Sequence, residues 1–251
     1  MKKNLLLVMA VCLLAACSGG GSIGGSKNIF GDLPDKYEGI LNENEEECQK
    51  MQEKFENKKN TEEDMIELYA FLGILGRKIE EGTAECREKL VGTKLPFEVV
   101  DSLPYTVSDI TVANVYFEKL VDVVMAAKFT ITFKEDFDIV ESIYNSAPIY
   151  KVYSVVTGDA NTMYTLYNKA TISHFPCEEI PRKDSFINDI CYHIHAGDTL
   201  PMEMVIKTDN PDIMRKCQLI RFVDQNEYKQ EVKNAEANRE AVKNPEGEKE
   251  E

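Results

Sequence analysis

The chain has no tryptophan, only three histidines, and too few bases for its acids: 29 Lys and Arg stand against 44 Asp and Glu. A net charge of −15 repels phosphate backbones and anionic lipid heads, so nucleic acid is excluded as an expected partner. The missing tryptophan removes a common core anchor of immunoglobulin domains. After Leu14 no apolar run approaches the roughly 18 residues of a membrane-spanning helix. Ser-x-x-Lys, Cys-x-x-Cys and His-Glu-x-x-His patterns are absent, so the acylating Ser-Lys pair and the helical zinc-protease motif give no support. No internal repeat is present.

What is there begins at the N-terminus. Met1-Lys2-Lys3 is a positive start, and the apolar run from Leu5 to Leu14 has the length of a signal h-region. Leu14-Ala15-Ala16-Cys17 follows. These residues resemble the lipobox of bacterial lipoproteins. The resemblance covers residues 1–17 and implies cleavage after Ala16 and a diacylated Cys17. Residues 17–31 then read as a lipidated cysteine and flexible tether, carried by Ser18-Gly19-Gly20-Gly21-Ser22-Ile23-Gly24-Gly25-Ser26. The tether is similar to the Gly/Ser-rich segments of Bacteroidetes-type lipoproteins. In that group, surface export goes with acidic residues just after the cysteine, and none stands here. The resemblance therefore implies the periplasmic face of the outer membrane rather than the cell surface.

Residues 32–92 read as a helical hairpin. Tyr37, Ile40, Leu41, Cys48, Met51 and Phe55 recur at helical steps and predict one helix over 34–58, opened by Pro34. Thr61-Glu62-Glu63-Asp64 is a capping-box-like start for a second helix, which Gly82 is expected to end or bend. From residue 93 the period changes to two. Lys128 to Lys134 alternates cleanly, as do Met202, Met204 and Ile206. Ile110 and Val112 are out of phase with Val115 and Phe117, which predicts a bulge at Ala113-Asn114. Residues 135–146 read as a short helical crossover. About seven strands over 93–223 give an α+β chain whose second part is an antiparallel sandwich of immunoglobulin or fibronectin-III type. Residues 224–251 read as a charged helix or disordered tail.

Several features bear on chemistry. His193-Ile194-His195 puts two imidazoles on one strand face, with Cys191 beside them, which makes His193 and His195 candidate Zn²⁺ ligands. The competing reading is a solvated strand face. Glu178 and Glu179 are a poor acid–base pair, since neighbours on an extended chain point apart. Glu43 to Glu47 reads as a solvated helix face rather than a Ca²⁺ loop. Cys48, Cys86, Cys177, Cys191 and Cys217 are odd in number, so at least one thiol lacks a partner within the chain. Cys177 with Cys191 is the expected bridge, and buried free thiols are the alternative. Tyr150, Tyr153, Tyr164 and Tyr167 are candidate ligand contacts, because a tyrosine joins an apolar ring to a polar tip; the same residues suit strands without binding anything.

The sequence thus leads to an envelope lipoprotein, held to the membrane by its lipid and acting as a non-enzymatic interaction or scaffold module. An envelope protein is the expected partner. The alternative is a small-molecule or glycan binder, and a zinc-dependent enzyme ranks third. No catalytic residue and no cofactor beyond the lipid on Cys17 is expected, zinc being the one exception.

Overall fold

The computed structural model describes residues 28–56, 61–118, 122–142, 148–157, 163–182 and 188–243. The leader, Cys17 and most of the tether lie outside them. The chain is α+β and divides into two units that do not follow chain order. The first holds the described residues up to Thr93 together with 112–126 and 206–218, and the second holds the rest.

In the first unit, α1 (Leu33–Glu43) and α2 (Glu45–Glu56) replace the single helix expected over 34–58. The break is Asn44. Its side chain donates to the Ile40 carbonyl at 2.7 Å and accepts from Lys78 Nζ at 2.5 Å. A short polar side chain that bonds its own backbone competes with the helix ladder. Leu33, Tyr37, Ile40 and Leu41 form the buried side of α1. The tether ends earlier than expected: Asn28 to Asp32 form turns, Ile29 and Phe30 are buried, and the Ile29 N–H donates to the Cys217 carbonyl at 2.8 Å.

The long α3 (Glu62–Leu90) runs unbroken through Gly82. A Cβ there would lie 2.6 Å from Ile40 Cδ1, so the glycine serves the close approach of α1 rather than a helix end. The short α4 (Pro211–Lys216) starts on Asn210, whose Oδ1 accepts from the Asp212 and Ile213 N–H groups. Arg215 on α4 joins Asp35 and Glu38 of α1 and Asp212.

The start of α3 fulfils the capping box. Asp64 N–H donates to Thr61 Oγ1 at 3.2 Å, and Thr61 N–H donates to Asp64 Oδ2 at 2.9 Å. The Thr61 N–H, the Thr61 hydroxyl and Lys54, all donating to the carboxylate, hold the Asp64 carboxyl down at about 2 from an ordinary value of 3.8. A lowered carboxyl stabilises the fold above its unfolded value, and that contribution is lost as pH falls through about 2. Thr61→Ala is expected to cost about 1 kcal/mol at neutral pH. It should also flatten the acid limb of the stability–pH curve between 3.8 and about 2. Urea unfolding at a series of pH values reads both, and an unchanged acid limb would show that the box contributes nothing.

Among the described residues twelve strands follow, in three sheets. One contains β1 (Lys94–Leu95), β4 (Ile110–Glu118), β5 (Asp122–Phe133) and β11 (Thr199–Thr208) in that order, with β3 (Tyr105–Val107) also paired to β5. The second is β2 (Phe97–Val99), β12 (Leu219–Val223), β7 (Ile149–Thr157) and β8 (Met163–Thr171). The third is β6 (Phe137–Ser142), β10 (Asp189–Ile194) and β9 (Cys177–Ile180). Strands β4, β5 and β11 contribute residues to both units. The registered pairs are antiparallel apart from β2 with β12.

The alternating patterns land as read. Phe129, Ile131 and Phe133 are buried, as are Met202, Met204 and Ile206. On β4 the phase slips at Ala113 and Asn114, which are both exposed. The helical crossover expected over 135–146 is corrected: 137–142 is strand β6. Phe137 packs on Phe133 and Tyr150, while Val140 is exposed. In the second unit the layers meet through rings: Phe129 of β5 lies 5.3 Å from Phe222 of β12, and Phe133 of β5 lies 5.0 Å from Tyr150 of β7. The tail forms α5 (Gln225–Lys243), opened by Asp224 Oδ1, which accepts from the Asn226 and Glu227 N–H groups. Tyr228 of α5 lies 4.9 Å from Tyr153 of β7, so the helix docks on the sheet instead of standing in solvent.

Candidate functional site

The third sheet gathers the chemistry, within the second unit. Its middle strand β10 pairs His193 with Asp138 of β6, and Cys191 with Val140 of β6 and Glu178 of β9. Alternation then separates two faces. Phe137, Tyr192 and Ile194 occupy one, and Tyr192 and Ile194 are buried. Asp138, Val140, Glu178, Ile180, Cys191 and His193 share the other. Burying the apolar face against the core fixes the register, and the register presents the polar set together.

The polar set is close. His193 Nδ1 and Asp138 Oδ1 lie 2.8 Å apart, and His193 Nε2 is 3.8 Å from Glu178 Oε1. The Cys191 thiol, a ring nitrogen of His193 and a carboxylate oxygen of Asp138 all lie within 4.8 Å of one another. Cys191 is buried, whereas His193 keeps 32% of its side-chain surface and Glu178 67%. Burial pushes the Cys191 thiol upward, and the Asp138 and Glu178 carboxylates add to the rise.

Two readings of a Cys, a His and an Asp ask different things of the thiol. A thiol nucleophile needs a lowered pKa and access to substrate. Cys191 has the opposite of both. The donor set does suit a borderline-soft cation, for which thiolate, imidazole and carboxylate are all ordinary ligands.

Of the residues singled out from sequence, His193 belongs to this cluster and His195 does not. His195 follows the end of β10, and its Nδ1 lies 3.8 Å from Asp136 Oδ2. The turn after it needs Gly197 at φ 92 and is closed by Asp198 Oδ2, which accepts from the His195 N–H. Asp138 was missed because its segment read as helix. Glu178 was weighed only with Glu179, which sits on the other face and accepts from Asn188 Nδ2 at 2.8 Å.

The expected bridge is also corrected. Cys177 stands across from Tyr192, and Cys191 across from Glu178. One residue of offset puts the two thiols on opposite faces of the sheet, and both are free.

The four tyrosines do not form one surface. Tyr150 and Tyr153 are three apart on β7 and alternate to opposite faces. Tyr150 packs edge-on against Phe133 and Tyr105, and burial pushes its hydroxyl up to about 12. Tyr153 faces Tyr228. The register sets Tyr167 across from Tyr153 and Tyr164 across from Val156; their side chains lie outside the described set. Tyr150 is thus half-buried against these rings, and a shared concave ligand surface gains no support from β7.

Compared with known proteins, the chain matches no family model, no curated protein and no solved structure.

Proposed function

We propose that the chain is an envelope lipoprotein, anchored through an acylated Cys17, whose folded part is a non-enzymatic interaction module for another envelope protein. The observation that carries this reading is the run Leu14-Ala15-Ala16-Cys17 followed by a Gly/Ser tether. Such a leader delivers a domain to a membrane face and leaves it free to meet partners there. An exposed strip on α3 supports the partner. Ile66, Tyr69 and Ile74 keep 63%, 55% and 49% of their surface, on a helix whose other side is buried. Within the strip, a Cβ at Gly73 would meet nothing within 4 Å. Large apolar side chains held in water along one side of a helix suit a protein partner.

We also propose that the strand region is a sandwich of immunoglobulin or fibronectin-III kind, a reading supported by the ring contact between Phe129 of β5 and Phe222 of β12. The parallel β2–β12 pair and the third sheet depart from that pattern.

Crosslinking the full chain in native envelopes, followed by mass spectrometry, tests the module. One reproducible, near-stoichiometric protein partner is expected, with its yield cut at least tenfold by Ile66→Asp. Absence of any specific partner, or a yield indifferent to the α3 strip, would sink the reading.

A further inference from the structure

We propose that Asp138, Cys191 and His193, joined by Glu178, form a Zn²⁺-type metal site that clamps the three strands of the β6–β10–β9 sheet. The argument starts from the donors. A structural zinc site takes four protein ligands from Cys, His, Asp and Glu, with metal–ligand distances of about 2.0 to 2.3 Å. Tetrahedral geometry at those distances sets donor atoms roughly 3.5 Å apart. Three of these donors already lie within 4.8 Å of one another, so modest side-chain rotation closes the set. Glu178 is placed by its register opposite Cys191; its carboxylate lies 3.8 Å from His193 Nε2, the ring nitrogen away from Asp138, and its exposed side chain would have to turn toward the other three donors to complete the set.

The placement across strands is the second part of the argument. One ligand comes from β6, two from β10 and one from β9, all on a single face. Strand β9 has only four residues and every one of them is exposed. It therefore holds little of the sheet by burial, and a bound ion would tie it to its neighbours. The charges point the same way: a bound cation would offset the Asp138 carboxylate and a Cys191 thiolate together. Among the described residues this is the one group of three such donors brought together.

His195 is outside the site, and so is Cys177, which lies on the other face of the sheet. Both give a sharp control. The full chain, solubilised in detergent and stripped of metal by a chelator, is titrated with Co²⁺ and with Zn²⁺. One equivalent of Co²⁺ should bind and produce a thiolate-to-cobalt charge-transfer band together with the intense visible bands of a tetrahedral site. Zn²⁺ should displace it. Asp138→Asn and His193→Ala should each weaken Zn²⁺ binding at least a hundredfold. Cys191→Ser should abolish the charge-transfer band. His195→Ala and Cys177→Ser should change neither. Glu178→Gln should weaken binding tenfold or more.

Circular dichroism checks that each variant folds. The cobalt spectrum of the unaltered chain needs no variant, so a failure to fold does not rescue the idea. Absence of stoichiometric uptake overturns the proposal, as does a spectrum without thiolate ligation. Equal loss in His195→Ala, or binding that survives both Asp138→Asn and His193→Ala, also overturns it.

Discussion

Phe133→Ala is expected to cost about 3–5 kcal/mol of folding stability, a large share of the ordinary 5–15 kcal/mol of a domain. Phe133 is 2% exposed. Its ring lies 5.0 Å from Tyr150, 5.3 Å from Phe137 and 6.2 Å from Phe175, each approached at a steep angle. Those partners come from β7, from β6 and from the turn before β9, so one ring supports two further sheets. Its backbone is fixed as well: the Phe133 N–H donates to the Asp198 carbonyl at 3.0 Å, and its carbonyl accepts from Gly197 at 2.9 Å. A cavity there cannot collapse by moving one strand, which is the condition for a cost at the upper end of the range. Urea unfolding should show a lower midpoint with an unchanged slope. Phe133→Leu, which keeps most of the volume, should recover more than half of the loss. A cost below about 1 kcal/mol would mean that the three sheets do not share this core. Since Phe137 leans on the same ring, the variant should also loosen Asp138 and weaken metal uptake without touching a ligand.

The parts of the fold that were legible from sequence are those where one period dominates. The alternation at Phe129, Ile131 and Phe133 buries a single face, and a slip of one residue would expose all three; such patterns leave no choice. The phase break on β4 was readable for the same reason. Thr61 and Asp64 announce a helix start because the cap is made by neighbours four residues apart or fewer. What escaped depends on distant contacts. Gly82 looks like a helix stop until Ile40 is seen against it. Asn44 splits a helix with a good apolar stripe because Lys78, far along the chain, completes its bonding. The segment from Phe137 to Ser142 hid its period: Phe137 and Ile139 alternate, but exposed Val140 follows directly, three residues after Phe137, and imitates a helical face.

That one misreading also hid the site. His193-Ile194-His195 is conspicuous because both histidines are adjacent in sequence, yet a metal ligand is chosen by position in space. With β6 read as a helix, Asp138 had no reason to stand opposite His193. Cys191 stands beside the histidines in the sequence pattern, but the expected bridge to Cys177 competes for its thiol. The register supplies both corrections at once, since the offset that separates Cys177 from Cys191 is the one that sets Glu178 beside Cys191.

Cys17→Ala should move the chain from the membrane fraction to the soluble fraction, the largest change expected from any single substitution outside the core. The reason is arithmetic on lipid. Each buried methylene contributes about 0.8 kcal/mol, and a single acyl chain gives an association constant of only about 10⁴ M⁻¹, whereas two chains hold stably. If Cys17 carries the proposed acyl chains, removing it removes all of them together. Nothing described in the fold replaces that contribution: among the described residues no helix is long and apolar enough to cross a membrane. An excess of acidic groups also repels anionic headgroups. An uncleaved leader would keep the Leu5 to Leu14 run, which at about ten residues falls well short of the roughly 20 needed to span a bilayer. Fractionation after a high-salt wash, with Cys12→Ala as the control that leaves the lipobox whole, separates the cases. Loss of membrane association in Cys17→Ala alone supports the anchor. Retention in that variant would mean that the chain holds the envelope through a protein partner, and the exposed strip of Ile66, Tyr69 and Ile74 would then carry the attachment that the lipid was assigned.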